Sequence, residues 1–359
     1  MYNSYRKTWL EIDLTNIYKN YLYFSKLLAP KKVIPVVKAN AYGHGAIEVV
    51  GYLKNQGIDY FAVSLLEEAI DLRRYYKNIE ILVMGVVSFE DVKIAAAHNI
   101  TITVSQATLF DYIKTLKERV KFHLKIDTGM NRLGFKDYEN AKKVYLEAMQ
   151  YNHISIEGVY SHFATSDGDK TYSNMQKRRF NQFLESLPER PKMVHLSNTS
   201  GALKLEESLQ YTTHARVGVG LYGSTLEEDI TQLLPTYKLM TQIAEIKHLK
   251  KGEKLGYGIT YEAIENETIG VLPVGYADGI IRKNQNGVVS INGKSYPIVG
   301  RICMDQMFIR IDDTITKADI ITIFGDSVVS IDDVAGRLDT ISYEVFCMIT
   351  YRVPRVYKE

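Results

Sequence analysis

Lys38 closes a short β-branched run, Val33-Ile34-Pro35-Val36-Val37, and is followed by Ala39-Asn40-Ala41 and a Tyr42-Gly43-His44-Gly45 turn. Such a run reads as a strand buried on both faces. A charged amine at the end of a buried strand is costly unless it is paired or chemically used. Two readings stand: a lysine that snorkels out to water, or one whose pKa is lowered so that it can condense with an aldehyde. A second group lies far along the chain. Ser197-Asn198-Thr199-Ser200-Gly201 offers hydroxyls and amides, and Val217-Gly218-Val219 lets the backbone come close to an anion.

The elements that must position these groups follow from periodicity. Extended runs at 33–38, 60–64, 79–85, 100–105, 121–127, 156–163, 193–197 and 215–222 alternate with helical spacing. Leu109, Tyr112, Ile113 and Leu116 mark one helical face, and Phe180, Phe183, Leu184 and Leu187 another. Eight strands with helical crossovers imply parallel pairing, and eight strands close a (β/α)8 barrel in preference to an open sheet. The fold class is therefore α/β: an N-terminal TIM-like barrel over 1–230 and a mostly-β domain over 231–359. In that second part, extended segments separated by Gly and Asn turns replace the alternation. Asn292-Gly293 marks a hairpin, and helical spacing returns at 331–338. The alternating segment 8–14 precedes the barrel and is predicted to pair with the C-terminal sheet.

Barrels of this kind gather functional groups at the C-terminal ends of their strands. Those ends carry Lys38 and Tyr42, Met84, Lys125 with Asp127 to Arg132, His162, Asn198 with Thr199, and Arg216 with Gly218. The loops after strands seven and eight commonly bind phosphate. A phosphate site opposite a buried lysine is what a phosphorylated aldehyde cofactor needs, and pyridoxal 5'-phosphate is the obvious one.

Bulk properties narrow the partners. A net charge of +2 from interspersed signs leaves no electrostatic footprint for nucleic acid. Two cysteines argue against a disulfide framework and for a reducing compartment. The polar N-terminus lacks the apolar core of a signal peptide, and no apolar run has the length of a membrane span. A cytoplasmic protein is expected. The histidine spacing is not that of a metal site, so no metal is expected.

Four longer motifs carry a resemblance. Val36-Val37-Lys38-Ala39-Asn40-Ala41-Tyr42-Gly43-His44-Gly45, Asp127-Thr128-Gly129-Met130-Asn131-Arg132-Leu133-Gly134, Gly275-Tyr276-Ala277-Asp278-Gly279 and Gly300-Arg301-Ile302-Cys303-Met304-Asp305-Gln306 resemble the alanine racemases. The resemblance runs from the first strand to Tyr351-Arg352-Val353-Pro354-Arg355. It implies racemisation of L- and D-alanine on pyridoxal phosphate, supplying D-alanine for peptidoglycan. Lys38 would hold the cofactor and act as the base on one face. Tyr257, in Tyr257-Gly258-Ile259-Thr260-Tyr261, would act on the other. Because Tyr257 lies in the second domain, the family's head-to-tail homodimer is implied, each C-terminal domain completing the partner's site. A phenol's ordinary pKa near 10 means such a base needs cationic neighbours or a hydrogen-bonded network.

The remaining roles follow from the same resemblance. Arg216 would face the ring nitrogen in place of the usual carboxylate; a guanidinium accepts no proton, which should shorten the carbanion's life and suppress transamination. Arg132 would contact the ring oxygen and substrate carboxylate, held by Lys125 if that lysine is carbamylated; an ordinary strand-end lysine is the alternative. His162 would lie against the ring. Tyr42, Tyr351, Asn198, Thr199, Gly218 and Val219 would hold the phosphate. Met304 and Tyr276 would surround the substrate, and Asp167, Arg282 and Arg301 would line its access corridor. Two rivals share the architecture in whole or part: an amino-acid decarboxylase and a non-catalytic pyridoxal-phosphate carrier. A decarboxylase calls for an acidic partner at the ring nitrogen, and a carrier lacks the second domain.

Overall fold

The computed structural model describes residues 5–205, 209–225 and 230–359. The chain packs as two compact units. One holds residues 17–41 and 45–234; the other combines the N-terminal segment up to Asn16, residues 42–44 and residues 235–359.

The first unit is a (β/α)8 barrel. Six parallel strands run side by side in the order Lys32–Pro35, His214–Val217, Met193–His195, Ile154–Tyr160, Val120–Lys125 and Ile102–Val104. The pair Tyr60–Val63 and Glu80–Val83 completes the ring through single bridges, Val36 to Ala62 and Leu82 to Thr101. Val37 N donates to Ala62 O at 2.9 Å, and Val83 N to Thr101 O at 2.9 Å. The strands are apolar on both faces because helices cover them outside and side chains fill them inside. Helices such as Ala46–Asn55 and Tyr138–Ala148 bury Val49, Val50 and Leu53, and Ala141, Val144, Tyr145 and Ala148.

Two strand expectations need correction. The run at 33–38 is a strand only over Lys32–Pro35, and Lys38 opens a tight turn instead of ending the strand. The run at 215–222 is a strand over His214–Val217, after which Val219–Tyr222 coils into a 3₁₀ turn. Both apolar runs continue past their strands because the loops over the barrel mouth are themselves buried, as Val36, Val37, Leu221 and Tyr222 are. Burial marks an apolar run in sequence, but it does not mark where pairing stops.

The second unit is built on nine strands, in the order Glu245–Leu249, Glu267–Leu272, Met307–Ile311, Lys294–Val299, Val288–Ile291, Ile320–Phe324, Tyr237–Gln242, Thr8–Asp13 and Arg355–Lys358. Thr8–Asp13 pairs antiparallel with Tyr237–Gln242 and parallel with Arg355–Lys358. Asn292 and Gly293, at φ 50° and 78°, form the hairpin between Val288–Ile291 and Lys294–Val299. Tyr237–Gln242 and Glu245–Leu249 are separate strands. Helix Ile331–Leu338 begins at a Ser330–Asp333 capping box. A further helix, Ser342–Met348, packs after it.

Residues 42–44 are threaded into this second unit. His44 is fully buried, its Nε2 2.9 Å from Thr236 Oγ1 and its ring 5.1 Å from that of Phe346. A Cβ on Gly43 would stand 2.5 Å from the Phe346 carbonyl oxygen, and φ there is +82°. Only glycine satisfies both conditions.

Candidate functional site

Lys38 is half-buried at the end of the first barrel strand, where the backbone turns left-handed. Ala39, Asn40 and Ala41 have φ of 52°, 53° and 53° with ψ of 49°, 48° and 49°. Each L residue in that conformation costs roughly 1–2 kcal/mol, so the turn must be held from outside. Glu68 Oε1 accepts from Ala39 N at 2.5 Å, and its Oε2 accepts from Ser64 N at 2.9 Å and Leu65 N at 3.0 Å. Asn40 closes the turn, its Oδ1 accepting from Ala46 N at 2.8 Å and its carbonyl from Gly45 N at 3.0 Å. The strain is concentrated beside a reactive amine, as is common at functional sites.

The barrel mouth is crowded with cations. Arg216, on strand His214–Val217, is buried. Its Nη2 donates to Ser161 O and Leu196 O, each at 2.9 Å, and lies 2.9 Å from His162 Nδ1. Its Nη1 lies 2.5 Å from His195 Nδ1. A guanidinium has only donors, so both imidazole nitrogens must accept, and His162 then keeps its proton on Nε2. Burial holds the His162 pKa well below the histidine norm, reinforced by Arg216, Lys125, Arg132 and Lys38. Lys125 is buried with Nζ 4.2 Å from the centre of the Tyr160 ring. Burial, then Arg216 and Arg132, push its pKa well below that of a free lysine. Arg132 is exposed beyond a turn in which Asp127 Oδ1 accepts from Gly129 N and Asn131 N, both at 3.0 Å.

Asn198, Thr199, Gly218 and Val219 come together on the same unit. Thr199 Oγ1 accepts from Gly218 N and Gly220 N, both at 3.3 Å, and Asn198 Oδ1 accepts from Gly201 N at 2.9 Å and Ser166 Oγ at 2.7 Å. The Ser197 hydroxyl is buried without a hydrogen-bond partner. A set of basic side chains, a neutral imidazole, an unsatisfied hydroxyl and a glycine-bordered loop fits an anionic aromatic ligand with a phosphate arm. Asp167 lies exposed on the same unit.

The other candidates belong to the second unit. Tyr257, Tyr276 and Met304 line one recess together with Asp305. Tyr257 is 72% exposed, Met304 53% and Tyr276 42%. The guanidinium of Arg301 packs on the Tyr257 turn, where a Cβ at Gly258 would meet Arg301 Nη1 at 2.6 Å. Asp278, fully buried, pairs with Arg6 at 2.7 Å and Arg352 at 3.5 Å, and Arg352 also holds Asp305 at 2.7 Å. This network ties the Tyr276 turn to the segment bearing Tyr351, which is 93% exposed. Arg282 is exposed and acts electrostatically on Cys303. Tyr42 is buried beside Tyr343, their ring centres 6.2 Å apart.

Sequence reasoning passed over His123, His195 and Tyr160. Tyr160 shares a hydrogen bond with Thr103 Oγ1 at 2.7 Å and stacks on His195 at 4.7 Å. One signal existed: Lys121, His123 and Lys125 alternate along one extended run, which places a polar row inside the barrel.

Comparison with known proteins gives a consistent answer. The family model "Alanine racemase, N-terminal domain" matches residues 12–226, and "Alanine racemase, C-terminal domain" matches 236–357. The chain is 42% identical to an alanine racemase of Geobacillus kaustophilus, covering 98% of this chain and 95% of that one. It is 40% identical to alanine racemase 1 of Bacillus subtilis, covering 99% and 94%. Among solved structures, alanine racemase from E. faecalis superposes with a TM-score of 0.94 at 34% identity, covering 99% of each chain. The Bacillus anthracis enzyme with bound L-Ala-P gives 0.90 at 32% identity, covering 99% of this chain and 96% of that one.

Proposed function

We propose, from the premise that this chain belongs to the alanine racemase family and racemises alanine, that it does so as a pyridoxal-phosphate enzyme with two bases on opposite faces. The observation that carries this reading is the convergence of Lys38, Lys125, Arg132 and Arg216 on His162 at the barrel mouth. Bound pyridoxal phosphate would supply an electron sink for a carbanion at the amino-acid α carbon. Lys38 would hold the cofactor, and its Nζ would take or return the α-proton on one face. Tyr257 of the partner subunit carries the proton on the other face through its phenol oxygen. Arg216 would face the ring nitrogen and, because a guanidinium accepts no proton, would leave that nitrogen unprotonated. Arg132 binds the substrate carboxylate, and His162 lies against the ring. Asn198, Thr199, Gly218, Val219, Tyr42 and Tyr351 hold the phosphate. Tyr276 and Met304 limit the side-chain space so that a methyl group is favoured. Asp167, Arg282 and Arg301 line the access corridor. The product supplies D-alanine for peptidoglycan in the cytoplasm, and no helix among the described residues is long and apolar enough to cross a membrane.

Lys125 is assigned as a carbamate. Burial and the neighbouring guanidiniums favour its uncharged amine, which can attack carbon dioxide, forming an N–C bond and releasing a proton to water. The anion so formed would be favoured by the two guanidiniums that disfavour the ammonium. Carbon-13 NMR of holoenzyme equilibrated with labelled bicarbonate should show a protein-bound carbamate that is absent in Lys125→Ala; no such signal removes the assignment.

Racemisation in heavy water tests the two-base reading. Lys38→Ala should lose racemisation, and Tyr257→Phe should slow it by about 10²–10⁴-fold while still exchanging the α-proton of one enantiomer. Equal loss of exchange for both enantiomers in Tyr257→Phe would contradict the assignment.

A further inference from the structure

Beneath the barrel mouth a row of hydrogen bonds runs inward from Arg216. His195 Nδ1 lies 2.5 Å from Arg216 Nη1, His195 Nε2 lies 2.9 Å from His123 Nδ1, and His123 Nε2 lies 3.2 Å from the Tyr60 hydroxyl. Four strands contribute: His214–Val217, Met193–His195, Val120–Lys125 and Tyr60–Val63. We infer that His123 is a positioning residue, which fixes the tautomer of His195 and through it the placement of Arg216 against the cofactor.

The direction of the row is set at one end. A guanidinium only donates, so His195 Nδ1 must accept from Arg216. Both imidazoles are fully buried and neutral, burial being the largest cause in each case. A neutral ring with Nδ1 accepting carries its proton on Nε2. His195 therefore donates to His123 Nδ1, which must accept, and His123 donates from Nε2 to the Tyr60 oxygen. Every proton in the row points away from Arg216. Reversing either ring would set N–H against N–H inside the barrel.

The ring of His123 has a place made for it. The pairing of Val120–Lys125 with Ile154–Tyr160 slips between Phe122 and His123, so that His123 faces Gly158. An added Cβ at Gly158 would stand 2.6 Å from both Cε1 and Nδ1 of His123 and 2.8 Å from the Met193 carbonyl oxygen. The extra residue, Glu157, lies on the neighbouring strand, and the slip sets Gly158, which has no side chain, against the ring whose Nδ1 His195 needs as acceptor. His195 is further held by stacking on Tyr160, ring centres 4.7 Å apart and 16° from parallel. Without an acceptor at residue 123, the His195 Nε2 proton would be buried and unsatisfied. The other tautomer would turn a donor toward Arg216 and drive the guanidinium from its position.

This rests on the reading that places Arg216 against the ring nitrogen, but the tautomers can be measured without the cofactor. Nitrogen-15 NMR of the full-length, histidine-labelled protein, with and without pyridoxal phosphate, should show His195 and His123 neutral and protonated on Nε2 near neutral pH. Either ring protonated on Nδ1, or cationic, would overturn the inference while leaving the two-base reading standing. His123→Asn retains an acceptor oxygen toward His195; it should preserve the His195 tautomer and keep kcat within about threefold. His123→Phe should shift the His195 resonances, lower kcat about tenfold with KM within about twofold, and raise the share of transamination. Unchanged His195 resonances and kcat in His123→Phe would also overturn it. If that variant does not fold, the wild-type tautomers alone decide.

Discussion

At the scale of single residues, the barrel interior is unusual in burying imidazoles without charge. Burial pushes the His123 pKa down to about 3 and holds those of His162 and His195 well below the histidine norm. An unfolded chain binds protons at histidine near pH 6.5, whereas the folded barrel refuses them. Their contribution to stability is therefore complete above about 6.5 and is lost as pH falls toward the depressed folded values. Each ring should remove about 1.4 kcal/mol per pH unit below that point. Urea titrations at successive pH values should give a slope steeper than one such ring supplies; a flat profile from neutrality to mild acid would contradict the neutral assignment. His123 and His195 were also the hardest to read. Lys38, Arg132 and Tyr257 sit in motifs long enough to be informative, whereas a lone histidine in an apolar strand looks like any core residue. Only the two-residue spacing of Lys121, His123 and Lys125 marked the polar row.

At the scale of elements, the sequence located the strands and misplaced their ends. The helix at 331–338 was legible because Ser330 and Asp333 supply a cap whose chemistry is local. The Asn292-Gly293 hairpin was legible for the same reason. The turn after Lys38 was not, since Ala39, Asn40 and Ala41 have no local reason to be left-handed; Glu68 and Asn40 impose the conformation through hydrogen bonds. Ala39 is exposed, so glycine there would relieve strain without opening a cavity. Ala39→Gly should leave stability unchanged or raise it by about 1 kcal/mol, where the same change inside a right-handed helix costs about 1 kcal/mol. Denaturant unfolding at fixed protein concentration checks this, and a loss near 1 kcal/mol would contradict the account of the turn.

At the scale of the whole molecule, the two units divide the chemistry between them. The barrel holds Lys38 and the cations, and the other unit leaves Tyr257, Ile259, Met304 and Tyr351 exposed at 72%, 63%, 53% and 93%. Tyr257, Tyr276 and Met304 line one recess of that unit. The central claim is that Lys38 of one subunit and Tyr257 of the other serve the same alanine molecule. Subunit complementation tests it most directly. Lys38→Ala and Tyr257→Phe homodimers, each nearly inactive, are mixed, exchanged and checked by native mass spectrometry. Shared sites place one intact pair in every hybrid, so the mixture should recover about a quarter of wild-type activity. Confirmed hybrids with no activity above the two parents would contradict the claim.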